Sequence, residues 1–275
     1  MSINLKALAY EIRENALDII YSGKTGHIGG DFSEAEILTT LYFHEMKVDP
    51  ENPEDPDRDY FILSKGHSME SYYAVLCKKG FLDLKDVVER YSRKGSPYIG
   101  HPNNKLPGIE MNSGSLGHGL PVSVGIALGL KMDNKENRVY TLMGDGELAE
   151  GSVWEGAMAA SHYHLDNLTA LVDRNGLQIS GTTEEVMHHE DLSKRFEAFG
   201  WHVIRTCGND VDKLLAAFNE ARETKGQPTV IICDTIKGKG ASFIENIAGW
   251  HHRVPNEEEY LKIKQELKER KEALL

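Results

Sequence analysis

The chain has 275 residues, 40% apolar and 27% charged, which is ordinary globular usage and enough for one large domain or two small ones. A formal net charge of −12 argues against a nucleic-acid or membrane-surface partner, because either needs a basic face. The three cysteines, Cys77, Cys207 and Cys233, have no CxxC spacing and read as reduced thiols of a cytoplasmic protein.

The N-terminal stretch MSINLKALAYEIREN lacks the form of a signal peptide. It reads as a charged amphipathic helix with Leu5, Leu8, Ile12 and Ile19 on one stripe. A Gly-rich turn, SGKTGHIGG (22–30), precedes a helix expected from about Ser33, as N-cap, to His44. Residues 49–59 are a Pro- and Asp-rich loop. Residues 60–63 form a short strand leading into SKGHS, and 68–79 a helix. Residues 92–112 are irregular. After GSLGHG (114–119) comes a helix with Val122, Gly125, Ala127 and Gly129, suited to close packing and too short to span a bilayer. Strands at Val139–Met143 and Leu168–Val172 flank a helix at Ser152–Tyr163. A loop (176–190), a helix near 191–199, a strand at Trp201–Thr206, a helix over 211–224 and a strand at Thr229–Cys233 follow. A charged helix over 256–275 ends the chain. No repeat or linker interrupts it, so a single domain is expected over 1–275. The βαβα rhythm predicts an α/β fold: a doubly wound, mostly parallel sheet with helices on both faces.

The segment from Gly144 to Leu177 carries the chemistry. A βαβ crossover is right-handed in nearly all known cases, so both strands point their carboxyl ends the same way, toward the edge where such sheets bind ligands. Adjacent strands lie roughly 4.8 Å apart. Asp145, in the GDG turn after the first strand, and Asn175, just past the second, can therefore meet one ion. One carboxylate plus one amide oxygen suits Mg²⁺ carrying substrate phosphates. Gly144 and Gly146 let the backbone turn sharply and approach phosphate. An isolated GDG is more often an ordinary strand-to-helix turn with an Asp near the helix start. The Asn at the second strand end favours the metal-diphosphate reading. Leu177, two residues further on, could add a carbonyl oxygen, which requires no particular side chain.

GDG followed at this distance by Asn resembles the signature of thiamine-diphosphate enzymes. The wider context resembles transketolase, specifically the N-terminal, diphosphate-binding half of a split, two-subunit transketolase. The resemblance spans SGKTGHIGG, LSKGH (63–67), GHPN (100–103), GSLGHG, GDGELAEG (144–151), DRNGLQISG (173–181) and DTIKGKG (234–240). It departs from the family at Arg174, where a first Asn is usual, at His118, where Gln is common, and at His252, where Gly follows the last His.

The resemblance implies thiamine diphosphate and Mg²⁺, with Ca²⁺ or Mn²⁺ able to replace the latter. Asp145, Asn175 and Leu177 would hold the metal. His67, Ser115, Leu116, Gly117, Gly144, Gly146, Glu147 and Glu150 would join Asp145 and Asn175 around the cofactor. Among these, Glu150 would face the partner domain, although an acid favoured by a helix N-terminus reads equally well. Substrate handling would fall to His27, His67, His101 and His251, with 251 preferred over 252. Lys237 and Lys239 read either as a solvated loop or as phosphate contacts. The family's activating Glu and ring-stacking aromatic lie on a separate pyrimidine-binding domain. The expected partner is therefore a C-terminal transketolase subunit in an α2β2 heterotetramer. The expected activity is transfer of a two-carbon ketol unit from a ketose phosphate to an aldose phosphate, with pentose-phosphate intermediates as default substrates. The alternatives are a subunit of a deoxyxylulose-phosphate synthase-like or oxo-acid dehydrogenase E1-like enzyme, or a non-catalytic cofactor-binding module. A P-loop nucleotide binder lacks its GxxxxGK[ST] motif here.

Overall fold

The computed structural model describes residues 3–275. Helix α1 (Leu5–Gly23) opens behind Asn4, whose side chain accepts from the Ala7 N–H at 3.2 Å. Its apolar stripe, including Ile12, Ala16 and Ile19, is fully buried. A tight turn then leads into α2 (Ile28–Ser33) and α3 (Ala35–Thr40), which ends in a π-helical turn, Leu41–Glu45.

The helix expected from Ser33 thus begins at Ile28, and Ser33 does not cap it. Its hydroxyl donates to the Gly30 carbonyl at 2.9 Å and to Asp173 Oδ2 at 2.6 Å. Gly29 and Gly30 lower local helix propensity and mask this start. They are tolerated because the helix is buried on every side; a Cβ on Gly29 would lie 2.8 Å from the Trp250 carbonyl.

Strand β1 (Tyr60–Leu63) is followed by α4 (Met69–Lys79), by the unanticipated α5 (Leu84–Arg90), and by α6 (Gly119–Met132). Strand β2 (Val139–Gly144) passes through a 3₁₀ turn, Gly146–Ala149, into α7 (Gly151–His162) and β3 (Leu168–Arg174). The expected loop over 176–190 contains a small hairpin, β4 (Leu177–Gln178) and β5 (Gly181–Thr182), and a short helix, α8 (Thr183–Val186). Helix α9 (Leu192–Ala198), β6 (His202–Cys207), α10 (Val211–Glu223) and β7 (Thr229–Asp234) complete the sheet layers. A 3₁₀ turn, Ala248–Trp250, and α11 (Glu257–Glu272) finish the chain.

The main sheet has the order β1-β2-β3-β7-β6, and every neighbouring pair is parallel. Alternation along the strands divides the core. Leu63, Leu142, Leu171 and Ile231 face the helices α1, α3, α4 and α10. Met143, Val172 and Ile232 face α6, α7 and α9. Both sheet faces are covered, so the strands read as continuous apolar runs. Helix α11 packs back on α1 through Ile263 and Leu267 against Leu17 and Ile20. Among the described residues no helix is long and apolar enough to cross a membrane. Because the sheet is parallel, the loops after β1, β2, β3 and β7 all emerge at one edge.

Candidate active site at the carboxyl edge of the sheet

Those four loops and the turn before α2 enclose a cleft of about 410 Å³. Register sets its floor. Gly144 pairs with Asp173, so Asp145 leaves β2 beside the last residues of β3. The Asp145 carboxylate is buried and accepts from the Gly146 N–H at 2.9 Å and the Gly176 N–H at 2.6 Å. The second of these bonds couples the two strand ends directly. Asn175 follows β3, its Oδ1 accepting from the Leu177 N–H at 3.1 Å and its amide donating to Asp173 Oδ2 at 3.1 Å. Asp145, Asn175 and Leu177 all line the cleft. Burial, with the neighbouring Asp173 charge, pushes the Asp145 carboxyl up to about 6.

This donor set fits a divalent cation. Among the described residues no three His, Cys, Asp or Glu side chains converge as a metal cluster. Asp145, Asn175 and Leu177 on one cleft offer a carboxylate, an amide oxygen and a main-chain carbonyl, the mixed hard-oxygen set that leaves coordination places for phosphate oxygens. The buried Asp145 carboxylate has two amide partners and, among the described residues, no paired cation side chain. The Leu177 carbonyl accepts instead from the Lys237 ammonium at 3.1 Å. Burial, with the nearby Lys65 charge, lowers Lys237 to about 8. Gly30, Gly144 and Gly146 also line the cleft, where they add no side chain of their own and leave main-chain groups open to a phosphate.

Beneath this floor lies an ion cluster that sequence reading missed. Lys65 Nζ lies 2.5 Å from Asp173 Oδ2 and 2.8 Å from Glu34 Oε2, all three side chains being buried. Burial alone would lower Lys65; Asp173 and Glu34 outweigh it and hold the ammonium charged. The position of Lys65 between the strand end and His67 was the available signal.

The imidazoles form the upper wall. Ring centroids lie 4.9 Å apart for His27–His67, 5.3 Å for His67–His251 and 5.5 Å for His27–His251. His252 also reaches His27, at 4.4 Å, so the turn presents both of its histidines. Arg253 anchors that turn from behind, stacking 4.0 Å over Trp250 and pairing with Glu259 at 2.6 Å. His101 lies outside the lining, but its ring packs on Gly114, which is part of it; a Cβ on Gly114 would come 2.7 Å from His101 Cδ2. Burial is the first cause of every histidine shift here. It lowers His27 to about 4, with His252 and His101 adding, and His251 to about 3, with Lys237 adding. It also lowers His67 well below the usual range, and His101. The four rings are neutral near pH 7.

The remaining candidates divide. Leu116 lines the cleft. Glu147 is buried beside it and stitches three segments together: Ser64 Oγ and the Gly117 N–H (2.8 Å) donate to one oxygen, and the Gly144 N–H (3.1 Å) to the other. Gly117 is therefore held by Glu147. Ser115 is exposed, with its hydroxyl 3.2 Å from His118 Nδ1, and Glu150 is exposed at the start of α7; neither lines the cleft. Gln178, Ile179 and Val186, from the hairpin and α8, line the outer rim and went unrecognised in the sequence. Nothing in the local pattern announced that this segment would fold back.

A doubly wound sheet with a hard-oxygen cradle and a histidine funnel at its carboxyl edge defines a diphosphate-cofactor-binding domain of the α/β class. Comparison with known proteins is specific. The family model "Transketolase, thiamine diphosphate binding domain" matches residues 5–272, and the chain belongs to this transketolase family. It is 47% identical, over 95% of its length and 93% of the relative's, to one named subunit of the apulose-4-phosphate transketolase of Phocaeicola vulgatus. It is 41% identical, over 93% of each chain, to 6-deoxy-6-sulfo-D-fructose transketolase subunit SqwG of a Clostridium species. The Leishmania mexicana transketolase structure superposes with a TM-score of 0.91 at 31% identity; the match covers 98% of this chain and 42% of that one. The Campylobacter jejuni transketolase gives 0.91 at 30% identity and 43% of its length. The chain thus spans less than half of these solved transketolases and nearly all of the two relatives named as transketolase subunits.

Proposed function

We propose that this chain is the thiamine-diphosphate- and Mg²⁺-binding subunit of a two-subunit transketolase. With its partner it transfers a two-carbon ketol unit from a ketose to an aldose, each bearing a remote anionic group, with sugar phosphates as the default. The observation carrying this reading is that Asp145, Asn175, Leu177 and three imidazoles open on one cleft at the carboxyl edge of the sheet. Bound thiamine diphosphate would supply the carbon nucleophile and electron sink for the two-carbon unit.

The chain's own residues then have definite tasks. Asp145, Asn175 and the Leu177 carbonyl would hold the metal, and Lys237, which lines the same cleft, would offer its ammonium to the diphosphate. His251 is neutral and its Nδ1 accepts from Lys237 Nζ at 2.9 Å, so its proton sits on Nε2. That N–H is free to donate to a substrate oxygen as charge develops on it. His27, His67 and His101, also neutral, can each accept one hydroxyl proton and donate another.

Both relatives carry names that designate them as transketolase subunits, which supports a separate partner. So do exposed apolar side chains at the mouth of the cleft: Ile179 (73% exposed) and Val186 (42%) line its rim. A pyrimidine-binding partner seated there would cover this surface and complete an α2β2 assembly. The test is reconstitution with a candidate C-terminal subunit. Ketol transfer from xylulose 5-phosphate that requires both chains, thiamine diphosphate and Mg²⁺ supports the reading. Decarboxylation of a 2-oxo acid by the same pair, without ketol transfer, contradicts it.

A further inference from the structure

Directly behind His27 lies a pair of carboxyl groups with no part in the chemistry above. Asp31 on α2 and Glu70 on α4 are both fully buried. The Ser71 N–H donates to Asp31 Oδ1 at 2.7 Å, and the Tyr91 hydroxyl donates to Glu70 Oε1 at 2.5 Å. The other two oxygens, Asp31 Oδ2 and Glu70 Oε2, have no further hydrogen-bond partner among the described residues. The anchor of Asp31 is the N–H of the residue next to Glu70, which sets the two carboxyls beside each other, and the Glu70 charge adds to burial in raising Asp31. Two adjacent buried carboxylates, each with an unsatisfied oxygen, are strongly unfavourable, and one proton between them relieves both faults.

Among the described residues no lysine or arginine pairs with either carboxyl. The nearest ammonium, Lys65, is committed to Asp173 and Glu34. Glu34, the other acid on the same helical stretch, adds negative charge beside Asp31. Tyr91 and Tyr73 face Glu70 as neutral phenols, and His27 faces it as a neutral imidazole.

The pair grips the His27 turn from both sides. Gly26 has φ +151°, and a Cβ there would lie 2.5 Å from Glu70 Oε1 and 2.6 Å from Ile20 Cγ1. On the other side, the main chain of Asp31 closes the first turn of α2 on the His27 carbonyl at 3.1 Å, so holding the Asp31 side chain on Ser71 holds that turn in place. Residues whose own contacts are this constrained fix the group between them.

We propose that Asp31 and Glu70 share a single proton and together act as the positioning pair for His27. This rests on the reading of His27 as a substrate-facing residue. In the complex of both subunits with thiamine diphosphate and Mg²⁺, using xylulose 5-phosphate as donor and ribose 5-phosphate as acceptor, Glu70→Gln keeps kcat within roughly threefold. Its amide donates to Asp31 in place of the proton, and its carbonyl still accepts from Tyr91. Asp31→Asn behaves alike and serves if Glu70→Ala fails to fold. Glu70→Ala lowers kcat by roughly tenfold or more, and adding it to His27→Ala brings no further loss, since it acts through His27. Thiamine diphosphate affinity stays unchanged throughout.

A second readout is independent of turnover. Burial raises both carboxyls, so their contribution to stability is complete at or below the ordinary carboxyl range, about pH 4, and is lost as pH rises through the folded-state values. The thermal midpoint of the full chain therefore falls between about pH 6 and pH 8.5 in the wild type and falls less in Glu70→Gln. Equal damage from Gln and Ala, full additivity with His27→Ala, or identical pH slopes in wild type and Glu70→Gln would each overturn the proposal. If the wild-type complex transfers no ketol unit, the functional reading fails, and the pH slopes still decide the pair.

Discussion

Asp145 is the residue on which the proposed metal site turns. Its carboxylate is buried beside Asp173, accepts from two backbone N–H groups, and is raised to about 6, so a bound divalent cation would stabilise its charged form. We predict that Asp145→Ala weakens Mg²⁺-dependent thiamine diphosphate binding by about a hundredfold or more, about 2.7 kcal/mol, in calorimetric titration of the complex. Undiminished affinity would remove the metal assignment. His67→Ala should retain cofactor affinity and lose roughly 10² in kcat, the scale of one general acid–base group. Unaltered turnover would strike His67 from the catalytic set. The histidines also set an acid limit. Their folded-state values are depressed, so the stability they contribute is present above the ordinary imidazole range and lost as pH falls through it toward about 4 and 3. The thermal midpoint of the chain should drop between about pH 6.5 and pH 4, and a His251→Gln variant should drop less. Asp145, Asn175 and the histidines were legible in the sequence because each sits at a strand end or in a Gly-rich turn. Lys65 and Asp173 were not, because a buried ion pair leaves no periodic trace.

At the scale of elements, the site depends on how loops are tied to the sheet. Glu147 is the main tie, binding the residue after β1, the GSLGHG loop and the end of β2 with one carboxylate. We predict that Glu147→Ala destabilises the chain by about 3 kcal/mol, because three buried donors lose their acceptor. Glu147→Gln should lose less, and equal thermal midpoints for Ala and wild type would contradict this. The strands were legible from their short apolar runs, and α7 from its helical period. Helix α2 was not, since two glycines and a buried Asp argue against a helix locally and only packing overrides them. The hairpin at 177–182 escaped for the opposite reason: it pairs over just two residues in each strand, too few to produce alternation.

Taken whole, the molecule is a parallel sheet covered on both faces, with its ligand edge open and Ile179 and Val186 exposed at the rim. The matched region is 42% of the Leishmania transketolase but 93% of the Phocaeicola relative, which sets the expectation for assembly. We predict that the chain alone carries no ketol transfer above background, and that adding its partner restores it. Full activity without the partner would refute the half-enzyme reading. We predict that one divalent ion joins the ends of β2 and β3. An anomalous-difference map of the complex soaked with Mn²⁺ and thiamine diphosphate should show one strong peak bounded by the Asp145 carboxylate, the Asn175 amide oxygen and the Leu177 carbonyl. A peak elsewhere, with those oxygens unbridged beside a fully bound cofactor, would contradict it.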